Sequence, residues 1–122
     1  MQPEAKDAAY LWDMLDAALA VQEFVASRSS SDYLADRMLR GAVERHLEII
    51  GEAANRISRS FRAAHAEIPW QRAVGLRNVL AHEYGEIDHK LVWGLATTRI
   101  PELIQQLRAL LPPLPPQRNS EG

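Results

Sequence analysis

Leu39-Arg40-Gly41-Ala42-Val43-Glu44-Arg45-His46-Leu47-Glu48-Ile49-Ile50-Gly51-Glu52-Ala53-Ala54-Asn55-Arg56-Ile57 is the stretch that decides the architecture of this chain. Leu39, Val43, Leu47, Ile50, Ala54, Ile57 and then Phe61 recur at three- and four-residue steps, which gathers apolar side chains on one face of a helix. The spacing predicts one long helix from about Asp32 to Ser60. At ~100° per residue, Arg45, Glu52, Arg56 and Arg59 collect on the opposite side. That charged side reads either as a solvated face or as a phosphate-attracting ridge or partner surface, with Glu52 pairing to an arginine. Gly41 and Gly51 each weaken a helix by roughly 1 kcal/mol relative to Ala, so they mark bends or close helix contacts.

The flanking sequence repeats the helical signal. Upstream, Leu11, Met14, Leu15, Ala18, Val21 and Val25 form a stripe within a helix expected from Asp7 to about Ser27. Ser29-Ser30-Ser31 breaks it and offers an N-cap before Asp32. Downstream, Ile68-Pro69-Trp70 opens a third helix, since proline suits a first turn. Val74, Val79 and Leu80 continue it, Gly75 reads as a close-packing point, and Gly85 suits the position just past its end near His82 to Tyr84. Asp88 is a candidate N-cap for a last helical region carrying Leu91, Val92, Leu95, Ala96, Ile100, Leu103, Ile104, Leu107, Leu110 and Leu111. Pro101 lacks a backbone donor, which predicts a kink or break near Thr98. Leu111-Pro112-Pro113-Leu114-Pro115-Pro116 stops the helix. No strand pattern and no repeat is evident. The expectation is therefore an all-α, up-and-down bundle of four to five helices over residues 1–111, with a Pro-rich, extended or flexible tail at 112–122.

Composition narrows the function classes. The chain has 122 residues, 47% of them hydrophobic and 25% charged, as expected of one ordinary domain. It has no cysteine, so neither a disulfide nor a thiolate zinc site is available. Met1-Gln2-Pro3-Glu4-Ala5-Lys6-Asp7 carries no apolar signal region, and no run reaches the ~20 apolar residues of a membrane span. A soluble, cytoplasmic protein is expected. The net charge of −2 gives no global pull toward nucleic acid, although 12 of the 14 basic residues are arginine, whose planar fork suits phosphate and carboxylate but which is also simply common in GC-rich genomes.

Chemistry concentrates in Gly75-Leu76-Arg77-Asn78-Val79-Leu80-Ala81-His82-Glu83-Tyr84-Gly85. Asn78 and His82, four apart, share a helix face. Arg77 and His82, five apart, diverge by about 140° on a regular helix. They converge on one group only if the helix end unwinds or a second protomer supplies one of them. The spacing is cheap in this chain, because Arg40–His46 and Arg59–His65 nearly repeat it, and His82 also suits a helix C-terminus. Other sites are excluded more firmly. The four histidines (His46, His65, His82 and His89) include no pair with zinc spacing. There is no glycine-rich phosphate loop and no Gly-x-Ser-x-Gly elbow. No cofactor and no metal is expected.

Three segments in order resemble the HEPN superfamily, specifically its HepT-like branch: Val43 to Ala54, Ile68-Pro69-Trp70, and Gly75 to Tyr84. Ile100-Pro101-Glu102-Leu103 looks like that family's last helix, and the likeness runs from about residue 7 to 111. The family pattern Arg-x4-His-x-Tyr falls on Arg77, His82 and Tyr84, with Asn78 as the polar residue after the arginine. Ala66 stands where relatives often carry proline, and the serine link before Tyr33 is short. The resemblance implies a homodimer in which the motifs of two protomers face each other. It implies a metal-independent endoribonuclease, the toxin of a toxin–antitoxin pair, with Arg77 and His82 catalytic and Asn78, Tyr84 and Glu52 supporting or touching RNA. It also implies a nucleotidyltransferase antitoxin as partner, which can add AMP to Tyr84. A histidine near its ordinary pKa of about 6.5 can serve as base or acid, and a two-fold dimer supplies one of each. The competing reading is a non-catalytic helical nucleotide-binding or interaction module that pairs with a nucleotidyltransferase.

Overall fold

The computed structural model describes residues 4–79 and 87–111. The described residues form helices joined by short links, without a strand. The helices are α1 (Ala5–Val25), α2 (Ser30–Ala35), α3 (Arg37–Arg56), α4 (Arg59–Ala64), α5 (Trp70–Val79), α6 (His89–Gly94) and α7 (Ile100–Leu110), with a π-helical turn at Leu95–Arg99. The all-α bundle expected from the apolar stripes is the observed fold. The expected end of the third helix near His82 to Tyr84 and the tail 112–122 lie outside the described residues.

The core sits where the stripes converge. All six apolar positions of the first stripe and all seven of the second, Leu39 to Phe61, are buried. Burying one Leu or Ile side chain contributes about 1.5–3 kcal/mol, so these two faces dominate the cohesion of the bundle. α1 packs chiefly on α3, α3 also on α5, and α1 also on α7. The last stripe is less complete, because Leu91 is 51% exposed while Val92 beside it is buried.

The single helix expected from Asp32 to Ser60 is instead three pieces. Its first break is Asp36, whose backbone is extended (φ −110°, ψ 99°) and whose Oδ1 accepts from the Leu39 N–H at 3.0 Å. Its second is Ser58, again extended, whose Oγ accepts from the Phe61 N–H at 3.2 Å. Both are short polar side chains that satisfy the orphan donors of a new helix start. Neither involves Gly or Pro, so the apolar period runs through both breaks unaltered. Ser29 is the N-cap before Asp32 and forms a capping box with it (3.0 Å and 2.9 Å). The Ser29 N–H, followed by the Ser29 hydroxyl, holds the exposed Asp32 carboxyl below its ordinary range.

Ser58 is fixed from a distance. Asp7, buried in the first turn of α1, accepts from the Ser58 N–H at 2.9 Å and from its hydroxyl at 2.6 Å. This contact, 51 residues apart in sequence, pins the start of α4 to the start of α1.

Pro101 produces no break, and the ladder is instead disturbed by a π turn at the expected place near Thr98. Backbone angles stay helical from Gly94 through Ile100, and the Ile100 N–H reaches back five residues to the Leu95 carbonyl. The wider π turn absorbs the ring and the missing donor. Thr97 and Thr98 hydroxyls bond the carbonyls of Trp93 (2.9 Å) and Gly94 (2.6 Å), further occupying acceptors in this turn. Asp88 caps α6 as expected, accepting from the Leu91 N–H at 3.1 Å. No described helix is long and apolar enough to cross a membrane.

Candidate functional site

α5 carries the described half of the motif. Its packed face is Trp70, Ala73 and Leu76, all buried. Arg77, four residues beyond Ala73 and seven beyond Trp70, falls on that same face and is half-buried. A guanidinium on the packed face of a helix is costly unless something receives it. Space for it comes from α3. A Cβ built on Gly51 would lie 2.9 Å from the Arg77 backbone nitrogen and 3.1 Å from its Cβ and Cγ. Gly51 is thus the close-packing glycine, chosen because α5 crosses α3 where a side chain would sit. Gly75, expected in that role, and Gly41 have nothing within 4 Å of an added Cβ.

The Arg77 Nε is buried and has no hydrogen-bond partner among the described residues. Asn78 is the next residue, about 100° further round the helix, and is exposed. Glu52, beside Gly51, is exposed and makes no ion pair among the described residues, so its expected pairing to an arginine is not observed there. The structure therefore brings Arg77, Asn78 and the Gly51–Glu52 step of α3 to one end of the α3–α5 crossing. His82 and Tyr84 lie outside the described residues.

The other Arg–His spacings resolve as packing. The His46 Nδ1 contacts the Ala42 carbonyl at 2.8 Å, and its ring meets Phe24 edge-on with centroids 5.1 Å apart. His65 packs on Phe61 at 4.3 Å, and its Nδ1 lies 3.4 Å from Glu67. His89 faces Glu44 at 3.5 Å, which ties α6 to α3. Each of these three rings has a close neighbour, although His65 Nε2 and His89 Nδ1 are buried without a hydrogen-bond partner among the described residues. Among the described residues no cluster of His, Asp or Glu is placed to hold a metal ion.

Comparison with known proteins decides the family. The family description "Ribonuclease HepT-like" matches residues 14–110. The chain belongs to the HepT-like ribonuclease family. A Methanocaldococcus jannaschii protein named "Putative RNase" is 38% identical over 99 residues, covering 81% of this chain and 91% of that protein. A "Putative RNase" of Caldanaerobacter subterraneus subsp. tengcongensis is 35% identical over 102 residues, or 84% of this chain and 91% of its own. The "Probable ribonuclease HepT" of Thermococcus cleftensis is 37% identical over 94 residues, 77% and 86% of the two chains. No solved structure matches the chain. The matched HepT-like region contains both Arg77 and its Gly51 contact, along with most of the buried stripes.

In this HepT-like bundle the close contact expected at Gly41 or Gly51 is found at Gly51, but its partner was not legible in the sequence. The contact of Gly51 with Arg77 links residues 26 apart, and nothing in the local pattern distinguishes Gly51 from Gly41. The Asp7 carboxylate is similar, since its place in a first turn reads as a solvated charge.

Proposed function

We propose that this chain is a metal-independent endoribonuclease acting as the toxin of a toxin–antitoxin pair in the cytoplasm. The observation that carries the reading is Arg77: a guanidinium on the packed face of α5, with its Nε buried and unpartnered among the described residues, inside the region matched to the HepT-like family. Such a group is pre-positioned for charge that develops elsewhere, in this reading on a phosphorane oxygen. The aromatic contacts of His46 and His65 and the Glu44 contact of His89 support giving the proton transfers to His82.

In the proposed reaction His82 of one protomer removes the proton from a ribose 2′-hydroxyl. The 2′-oxygen bonds to phosphorus, the bond from phosphorus to the 5′-oxygen breaks, and His82 of the second protomer protonates that leaving oxygen. The products are a 2′,3′-cyclic phosphate and a 5′-hydroxyl. Homodimerisation supplies the two imidazoles. Asn78 orients the imidazole or holds the substrate, Tyr84 contacts RNA, and Glu52 supports the site from α3. A nucleotidyltransferase antitoxin adds AMP to Tyr84. That adduct places bulk and negative charge in a site built for phosphate, which silences it.

The test is cleavage of labelled RNA by purified protein in the presence of a chelator. Arg77→Ala and His82→Ala should each lower the rate by about 10²-fold or more, with melting temperatures close to wild type. Full activity in either variant would sink the assignment, and replacing the 2′-hydroxyl by hydrogen should leave an intact, bound strand.

A further inference from the structure

The charged ridge of the sequence does not survive intact. Because the helix breaks at Ser58, Arg59 leaves the line of Arg45 and Arg56 and starts α4. There it joins Arg62 on one wall of a groove of about 590 Å³ between α4 and α5. The opposite wall carries Gln71, Val74 and Asn78, with Trp70 also lining the groove. No carboxylate lines it, and among the described residues neither Arg59 nor Arg62 is in an ion pair. Arg28 pairs with Asp36, Arg45 with Glu48 and Arg99 with Glu102. Arg37, Arg56, Arg72 and Arg108, like Arg59 and Arg62, are in no ion pair among the described residues, so what sets the groove apart is two such arginines on one wall with no carboxylate facing them. A wider groove between α1 and α3, about 750 Å³, is lined by Asp13, Asp16 and Glu23, which repel a phosphodiester.

Three properties of the α4–α5 groove fit a single nucleic-acid strand. Two uncompensated guanidiniums sit one turn apart on α4, at positions that can take successive phosphates. Gln71 and Asn78 offer amide donors and acceptors, the chemistry that reads an unpaired base edge. Asn78, next in the chain to Arg77, also lines the groove, so a strand lying in it is adjacent to the candidate site.

We propose that the α4–α5 groove holds the RNA strand beside the cleaved bond, with Arg59 and Arg62 each gripping a phosphate and Gln71 and Asn78 contacting the neighbouring base. This rests on the ribonuclease reading. Affinity for substrate then comes largely from α4, whereas Arg77 serves the reacting phosphate.

The experiment uses the full chain and a fluorescent single-stranded RNA of mixed sequence, 2′-O-methylated so that it cannot be cut. Binding is followed by anisotropy across a salt series, and an unmodified strand is used for cleavage. Each single-strand phosphate contact contributes about −0.7 to the slope of log K against log salt. Arg59→Gln with Arg62→Gln should therefore flatten the slope by about 1.4, a loss of about 25-fold in affinity at 0.1 M salt relative to 1 M. In cleavage, KM should rise while kcat at saturation holds. Arg59→Gln alone, at an exposed position, should take about half the slope change and guards against misfolding of the double variant. Arg28→Gln with Arg37→Gln removes the same charge at the far end of α3, about 30 Å away along 20 residues, and should leave slope and KM unchanged. An unchanged slope in the Arg59/Arg62 variant, an equal loss in the Arg28/Arg37 control, or a wild type that fails to bind the strand would each overturn the proposal. A wild type that binds through Arg59 and Arg62 but never cuts overturns the ribonuclease reading instead and leaves the groove a strand-binding site.

Discussion

Gly51→Ala and Gly41→Ala are the same chemical change in the same helix, and the structure gives them opposite signs. At Gly51 the new Cβ falls 2.9 Å from a backbone nitrogen of α5, where ordinary contact begins at 3.4 Å. Backbone cannot rotate aside, so α5 must retreat by the difference, about half an ångström (3.4 − 2.9). Overpacking of this size costs about 1–3 kcal/mol, and the better helix propensity of alanine returns about 1. The net is a loss of about 1 kcal/mol. At exposed Gly41 nothing lies within 4 Å, so only the propensity gain of about 0.5–1 kcal/mol remains. Urea or thermal unfolding should therefore separate the two variants by about 2 kcal/mol, or roughly 8 °C at ~4 °C per kcal/mol for a chain of this size. Activity should part in the same way. The displaced atom belongs to Arg77, and a shift of half an ångström should cost about tenfold in RNA cleavage, given that misplacement by 1 Å can cost 10². Gly41→Ala should keep full activity. Equal stability and equal activity of the two variants would refute the claim that Gly51 positions Arg77.

Two further predictions concern buried polar groups. Asp7→Ala removes a carboxylate that accepts two hydrogen bonds from Ser58 and should cost about 3 kcal/mol; a loss under about 1 kcal/mol in denaturant titration would show that the contact is dispensable. The Tyr33 hydroxyl is fully buried with no partner among the described residues, and burial pushes its pKa up to about 12, with Glu44 adding to the shift. The native state thus holds the phenol proton more tightly than the unfolded chain, whose tyrosines ionise near about 10. That contribution is complete below pH ~10 and is lost as pH rises toward about 12. Tyr33→Phe should flatten the alkaline limb of a stability–pH curve and raise stability near neutrality by about 1 kcal/mol, since it deletes an unsatisfied hydroxyl; an unchanged alkaline limb would count against the assignment.

What was legible in the sequence, and what was not, follows from range. Leu39, Val43, Leu47 and Ile50 announce their helix because burial and period are local properties of neighbouring residues. Asp88 and Ser29 announce their caps for the same reason. Asp36 and Ser58 do not, because a short polar residue inside a periodic run is indistinguishable from one on a solvated face until its φ and ψ are known. The π turn at Leu95–Arg99 is a related case: Pro101 signals that the ladder must be disturbed, but whether it bends or widens depends on the α1 surface it packs against. For the site, Arg77 and Asn78 could be named from sequence, yet the reason Arg77 can occupy a packed face could not. That reason is a glycine on another helix.

The same reasoning ties the candidate site to residues that touch no substrate. The Ser58 hydroxyl donates to Asp7 and accepts from the Phe61 N–H, so the α1 carboxylate fixes the direction in which the Ser58 lone pair points. That direction sets the first turn of α4, and with it the placement of Arg59 and Arg62. The other wall is set separately. Trp70 donates its Nε1–H to the His65 carbonyl at 2.9 Å and meets Phe61 edge-on, which anchors the start of α5, while Gly51 fixes its far end at Arg77. A groove assembled this way has the helices of both walls locked by packing and hydrogen bonds before any strand arrives, so the ordering cost of binding falls on the Arg59 and Arg62 side chains and not on the backbone. Loosening Asp7 should then weaken RNA binding through α4 while leaving Arg77 in place, whereas filling Gly51 should slow the chemical step with little change in affinity. The two variants would divide KM from kcat, although neither residue lines the α4–α5 groove.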